Sequence, residues 1–212
     1  MSSLAEAPVG PDGFIRKKWT VRECRVMTET GLLTPGKFEL IEGEVISKMG
    51  QGRLHIAVVT RIIAVLTAIF GSESVQNQAQ IGIGELDENN DPEPDVAVLR
   101  GTVMDYLHRE PNPADEVLLV VEASYSSLTG DTTTKARIYA KYGIQEYWVV
   151  SILHRELIVF RQPGPDGYSE TLVVSETESL VPMAAPESSV RVNTCWPGCT
   201  RFRIGCACEN VR

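Results

Sequence analysis

The sequence has few of the features that mark a membrane protein, a secreted protein or a protein that coats nucleic acid. No apolar run approaches the roughly 20 residues that a bilayer span requires. The opening residues, MSSLAEAPVGPDGF, lack the basic start and the continuous apolar segment of a secretory signal. The formal net charge is -8, whereas binding to phosphates normally needs a basic face. We therefore expect a soluble, cytoplasmic protein without a membrane partner, in which only a local groove could be basic.

The signatures of several enzyme classes are also absent. The segment GIGEL carries two glycines of the dinucleotide-binding fingerprint, but Asp87 occupies the place of the third. There is no G-x-S-x-G nucleophile elbow. The three histidines lack the spacing of metal ligands: His55, His108 and His154. Dinucleotide-dependent, serine-nucleophile and histidine-metal chemistries are thus disfavoured.

Cysteine is scarce until the end of the chain. Cys24 stands alone, and the remaining four cluster in the last stretch: Cys195, Cys199, Cys206 and Cys208. Their spacing, C-x3-C-x6-C-x-C, is not a usual zinc pattern, in which pairs two to four residues apart are separated by a longer loop. Reduced thiols on an irregular tail are the favoured interpretation, and a structural metal is the alternative.

Periodicity predicts a mixed α/β fold. Thr20 and Glu23 form a capping box at the start of a short helix, and a hairpin follows at 38–49. A long apolar helix covers 53–71, and a later helix has Asp131 as a candidate N-cap. Strand-like segments precede and follow that later helix.

The strongest strand signal is the continuous apolar run at 117–123, which is typical of a central strand covered on both faces. We therefore expect a central mixed β-sheet flanked by helices. The expected organisation is a flexible arm at 1–14, one domain at 15–182 and an irregular cysteine-rich tail at 183–212.

Two carboxylates occupy strand ends that antiparallel pairing would bring together. Asp95 begins one strand, and Glu122 lies near the end of the strand at 117–123. In an antiparallel pair, the start of one strand adjoins the end of the other. Two ionised carboxylates at one point repel unless a cation holds them, and oxygen ligands select Mg²⁺, Mn²⁺ or Ca²⁺ rather than zinc. The alternative is that each acid pairs with a base near its own strand end.

The helix that follows these strands carries a lysine on its apolar face. Ile138, Tyr139 and Tyr142 follow Lys135 at three, four and seven residues, so the lysine shares the stripe that faces the sheet. Its candidate partners are the carboxylates at the sheet edge, whereas a lysine that extends past the tyrosines to water is the alternative. An Asp, a Glu and a Lys around a divalent cation suit hydrolysis of a phosphodiester.

Several segments resemble, in order and spacing, the Uma-type family of restriction endonucleases in the PD-(D/E)XK nuclease superfamily. These segments are FELIEGEV, a helix with His55, PEPDVAVL and VVEASYSSLTGDTTTKARIYAKYGIQEYWVV. The resemblance covers about residues 19–174 and fits less well beyond 182. It implies a restriction-endonuclease-like core, Mg²⁺ or Mn²⁺ held by Asp95 and Glu122, and DNA as the substrate.

The resemblance also bears on other residues of the site. The superfamily expects a lysine two residues after the glutamate, where Ser124 stands, but the family places its lysine on the following helix, where Lys135 matches. His55 matches a family position, although a lone histidine on a buried helix is more often a hydrogen-bonded core residue than a catalyst. One further metal ligand is implied among three glutamates, between which the sequence does not choose: Glu39, Glu42 and Glu44.

The leading hypothesis is therefore a Mg²⁺-dependent endonuclease that cleaves DNA. The local basic groups that could meet a nucleic-acid backbone are Lys48, Arg53, Arg137 and Lys141. Two alternatives are a catalytically silent protein that uses the nuclease fold for binding, and a metal-dependent hydrolase of another phosphoester. Because cutting both strands of a duplex is most simply done by two copies of one site, function and family imply a homodimer.

Overall fold

The computed structural model of the chain describes residues 13–48, 52–78, 80–82, 87–106, 108 and 114–198. Two compact units are present: one is Met1–Met49 with Ile83–Pro92, and the other is Gly50–Gly82 with Glu93–Arg212. Most of the predicted arm at 1–14 lies outside the described residues, as do Cys199, Cys206 and Cys208.

The smaller unit begins with the helix α1, Val21–Glu29. The predicted capping box is confirmed: the Glu23 backbone N–H donates to Thr20 Oγ1 at 3.2 Å, and the Thr20 N–H donates to Glu23 Oε2 at 3.0 Å. These two bonds satisfy backbone donors that the first helical turn leaves without an internal partner.

The predicted hairpin in the same unit is also confirmed. The strand β1, Phe38–Ile41, pairs antiparallel with β2, Glu44–Ser47. Glu42 and Gly43 join them with φ values of 51° and 74°. Two consecutive left-handed residues are what a tight two-residue turn between twisted strands requires, and glycine adopts that conformation at little cost.

The larger unit contains a six-stranded mixed sheet in the order β3-β4-β5-β6-β7-β8. β5 and β6 are parallel, and the other neighbours are antiparallel. The apolar run that predicts a central strand is β5, which lies inside the sheet and is buried at all but one position. The strands are β3 (Val75–Asn77), β4 (Val96–Leu99), β5 (Val117–Ser124), β6 (Glu146–Ser151), β7 (Glu156–Gly164) and β8 (Gly167–Ser175).

One face of this sheet is covered by the helix α2, Arg53–Phe70. Its length and mean hydropathy of 1.8 would by composition allow it to cross a membrane, but its inward side joins the core with β4 and β5. Apolar residues recur along α2 at helical spacing from Leu54 to Ile69, which predicts that Leu54 faces inward. Leu54 lies in the first turn of the helix and is 43 % exposed. The buried residues of α2 are Val58, Val59, Ile62, Val65 and Leu66.

The helical segment at 128–141 packs on the opposite face, where the Tyr139 ring lies 4.9 Å from that of Tyr147 in β6. It consists of α3 (Leu128–Gly130), a π-helical turn (Asp131–Lys135) and α4 (Ala136–Lys141). The prediction that Asp131 caps this helix is wrong. The Asp131 N–H donates to the Ser127 carbonyl oxygen at 2.9 Å, so Asp131 already lies inside the helical hydrogen-bond pattern.

The chain beyond β8 adds two short antiparallel strands, β9 (Ser179–Leu180) and β10 (Val190–Arg191). A 3-10 turn, Val192–Cys195, follows, and Trp196 donates its indole N–H to the Ile152 carbonyl oxygen at 3.3 Å. Residues between Val190 and Trp196 thus contribute to the core of the larger unit. The domain boundary predicted at residue 182 lies before these core residues in the chain.

Alkylation of Cys195 should report this packing. Cys195 is 2 % exposed, and burial raises the pKa of its thiol to about 12. Because the thiolate is the reactive form, we expect iodoacetamide near neutral pH to leave Cys195 unmodified in the native protein. Unfolding in concentrated urea should make it reactive, as peptide mass spectrometry would record. Equal labelling with and without urea would contradict the packed position.

Candidate functional site

Asp95 and Glu122 meet at one edge of the sheet. β4 pairs antiparallel with β5, with Val96 opposite Val121, so the next positions along the two chains are Asp95 and Glu122. The Asp95 carboxylate turns toward the following residue of β5 and accepts the Ala123 backbone N–H on Oδ2 at 2.8 Å. The antiparallel pairing that the sequence analysis assumed is therefore confirmed.

Lys135 approaches this edge from the helical segment at 128–141. Its Nζ lies 2.8 Å from Glu122 Oε1, which also accepts the Tyr139 hydroxyl at 3.1 Å. The side chains of Lys135 and Glu122 are 11 % and 7 % exposed. The inward orientation predicted from the helical wheel is confirmed, because the ammonium group ends on a buried carboxylate rather than in water.

His55 reaches Asp95 from the start of α2. Its Nε2 lies 3.1 Å from Asp95 Oδ2, and both side chains are 15 % exposed. The hydrogen bond to Asp95 raises the pKa of the imidazole, although burial opposes the shift. Within the described part of the chain the buried Nδ1 has no hydrogen-bond partner. We therefore assign the proton of a neutral imidazole to Nε2, from which it is donated to Asp95.

A second buried carboxylate, that of Asp131, adjoins Lys135. Asp131 Oδ1 lies 4.0 Å from Lys135 Nζ, and Asp131 Oδ2 accepts the Ser127 hydroxyl at 2.6 Å. The sequence pattern predicts Asp131 only as a helix cap, so this contact was not predicted. A signal was present, since an acid four residues before a lysine in a helix is a favourable ion-pair spacing.

The three candidate glutamates of FELIEGEV belong to the smaller unit. Glu44 is exposed and accepts a hydrogen bond from Lys18 Nζ at 3.1 Å. The Glu42 backbone N–H donates to Asn90 Oδ1 at 2.8 Å in the hairpin turn. A role for Glu39, Glu42 or Glu44 beside Asp95 stays a sequence prediction.

The donor set suits a hard divalent cation with few protein ligands. No group of three or more His, Cys, Asp or Glu side chains in the described residues is placed to hold a metal. Mg²⁺ is commonly bound through only one or two carboxylates together with water and substrate phosphates. Both described hydrogen bonds of the Asp95 carboxylate use Oδ2. Asp95 and Glu122 therefore fit Mg²⁺ or Mn²⁺ as a pair of oxygen ligands.

The comparisons with known proteins agree with the family suggested by the motifs. The Uma2 family, described as "Putative restriction endonuclease", matches residues 29–193. A crystal structure of "a putative nuclease belonging to DUF820 from Anabaena variabilis ATCC 29413" has a similar fold, with a TM-score of 0.59 and 19 % sequence identity. The match covers 80 % of this chain and 96 % of that chain. No curated protein matches the chain. Because the family match spans most of the sequence, the chain belongs to the Uma2 family.

Proposed function

We propose that this protein is an endonuclease that hydrolyses DNA phosphodiester bonds with Mg²⁺ or Mn²⁺ as its cofactor. The observation that carries the proposal is the buried contact of 2.8 Å between Lys135 Nζ and Glu122 Oε1, beside Asp95 at the sheet edge. Membership in a family described as restriction endonucleases supports the reaction class. The DUF820 nuclease supports the fold on which such a site is built.

Charge balance supports a divalent cation at this edge. Glu122, Asp131 and Lys135 in their ionised forms carry a net charge of about -1, and an ionised Asp95 adds another negative charge when His55 is neutral. A buried net charge is costly unless a counter-ion approaches it. Asp95 and Glu122 would hold that cation, which, when bound, supplies Lewis acidity toward the phosphoryl oxygens.

The residues around the two carboxylates have separate roles in this proposal. Lys135 presents a fixed positive charge at the Glu122 carboxylate, where it can stabilise negative charge that develops on the phosphoryl group or orient the attacking water. His55 orients Asp95 through the hydrogen bond of 3.1 Å, as outer residues commonly do for carboxylate ligands. Tyr139 fixes the same Glu122 oxygen that Lys135 contacts.

DNA is proposed as the substrate from the family match and from exposed basic residues of the larger unit. Arg53, Arg137 and Lys141 are exposed and could contact phosphates, which positions a nucleic acid without reading its sequence. A homodimer that supplies one site for each strand is part of the same proposal.

Cleavage by the purified protein tests the proposal. Supercoiled plasmid, single-stranded DNA and RNA are incubated with Mg²⁺, with Mn²⁺ or with EDTA, and the products are separated on gels. We expect nicked and linear plasmid with either metal and intact plasmid with EDTA, because the reaction needs the cation. Cleavage of RNA alone would replace DNA as the substrate, and cleavage in EDTA would exclude the metal mechanism.

A thermal melt separates an inactive binding protein from an enzyme offered the wrong substrate. A ligand that binds only the native state raises the melting temperature, and the increase grows with the ratio of ligand concentration to Kd. We expect Mn²⁺ to raise the melting temperature of the wild-type protein. If no substrate is cut and calorimetry detects no metal binding, the catalytically silent alternative is favoured.

A further inference from the structure

The acid in the π-helical turn, Asp131, enters the charge balance above but has not been given a role of its own in the site. Asp131 is 4 % exposed, a degree of burial that carboxylates adopt when they are paired. It begins the turn Asp131–Lys135, and π-helical turns inserted in α-helices are frequent at functional sites. Asp131 forms an ion pair with Lys135, with 4.0 Å between Oδ1 and Nζ.

The surface residue Ser127 fixes the other oxygen of this carboxylate. The Ser127 hydroxyl donates to Asp131 Oδ2 at 2.6 Å, a short bond of the kind that hydroxyls form with ionised acceptors. The Tyr147 hydroxyl donates to the Asp131 carbonyl oxygen at 3.0 Å and holds the backbone of the turn against β6. Asp131 is thus anchored on the side away from Lys135.

Lys135 lies near two carboxylates, so the net charge of the group differs from that of a simple ion pair. A lysine paired with Glu122 alone would neutralise the carboxylate and reduce its attraction for a cation. A second carboxylate at 4.0 Å from the same ammonium restores one negative charge to the group. Lys135 thus lies between the two acids, hydrogen-bonded to Glu122 and at ion-pair distance from Asp131.

We propose that Asp131, held by Ser127, is a positioning residue that keeps the Lys135 ammonium bridged between two carboxylates and leaves Glu122 able to attract a divalent cation. The cation part of this inference rests on the proposed nuclease function. The bridge itself is a property of the metal-free chain and can be measured without any substrate.

The experiment follows the Lys135 ammonium group by ¹⁵N-selective NMR of the metal-free full chain, with Lys135→Arg identifying the signal. We expect a signal that is protected from exchange with water in the wild type, and exchange faster by roughly tenfold or more in Asp131→Asn, since a charged partner is lost. Ser127→Ala removes one surface hydroxyl and should accelerate exchange in the same direction by a smaller factor. Asp115→Asn, the same change at an exposed position just before β5 and at the end of that strand opposite Glu122, should leave the exchange rate unchanged.

Three outcomes would overturn the inference or part of it. An unprotected Lys135 signal in the wild type, or an unchanged exchange rate in both Asp131→Asn and Ser127→Ala, would refute the bridge. Calorimetry with Mn²⁺ tests the cation part of the proposal. The affinity should fall roughly tenfold or more in Asp131→Asn and stay constant in Asp115→Asn. If the bridge is found but the wild type binds no Mn²⁺, the cation role and the proposed function fail together while the bridge stands.

Discussion

We expect Asp95→Asn to lower the rate of metal-dependent cleavage by more than about 100-fold. Removal of an outer-shell partner alone typically lowers metal affinity or activity by roughly 10- to 100-fold, and Asp95 is proposed to contact the metal directly. The substitution keeps the shape of the side chain and an oxygen that can accept the Ala123 N–H, which the aspartate now accepts at 2.8 Å. It removes the negative charge that we propose attracts the cation. Initial rates of plasmid nicking, measured over a series of Mg²⁺ concentrations, give the size of the loss.

Asp115→Asn provides the matched control for this experiment. Asp115 is exposed and lies just before β5, at the end opposite Glu122, so the charge change is the same and the distance to the site is large. Its cleavage rate and circular dichroism spectrum should equal those of the wild type. Lys135→Ala should lose cleavage as Asp95→Asn does. Persistence of full activity in Asp95→Asn would rule out the proposed site.

Glu146→Ala is expected to give the largest loss of stability. The Glu146 side chain is fully buried, and its Oε1 accepts Arg161 Nε at 2.9 Å and Nη2 at 2.6 Å. Its Oε2 accepts the Met183 backbone N–H at 2.8 Å. Removing one partner of a buried ion pair costs about 3–5 kcal/mol because the other charge stays buried. A chain of this size loses about 2–4 °C of melting temperature per kcal/mol, so thermal melts should show a decrease of about 6–20 °C.

An exposed pair on the same sheet offers the comparison. Arg155 and Glu176 form a salt bridge with side chains that are 48 % and 39 % exposed. Exposed pairs typically contribute about 0–1 kcal/mol, so Glu176→Ala should change the melting temperature by only a few degrees. If Glu146→Ala were as mild as Glu176→Ala, the buried Glu146–Arg161 pair would not hold the chain near Met183 in place.

The elements with strong periodic signals could be predicted from the sequence. The capping box at Thr20, the hairpin turn at Glu42 and Gly43, and the central apolar strand β5 are all formed as expected. The inward orientation of Lys135 was also accessible, because the helical wheel depends only on local spacing. The capping box, the hairpin turn and this orientation are each set by residues close together in the chain, whereas the antiparallel pairing of β4 with β5 had to be assumed.

Several features that could not be predicted from the sequence depend on residues distant in the chain. Glu146 belongs to the EYW segment of the family pattern, but its partners are Arg161 and the backbone of Met183. The core position of Trp196 depends on the Ile152 carbonyl oxygen, and strands of two residues such as β9 and β10 are too short to carry a periodic pattern. Spacing within one segment contains no information about such partners.

The π-helical turn Asp131–Lys135 acts as a spacer of fixed length. A π-helical turn already accommodates one residue more than an α-helical turn, so the gain of a further residue here would rotate everything beyond it by about 100° around the axis. Lys135 and Tyr139 would then no longer both point at Glu122, although every side chain of the site would still be encoded. The three consecutive threonines between Asp131 and Lys135 can therefore tolerate changes in identity far better than changes in number.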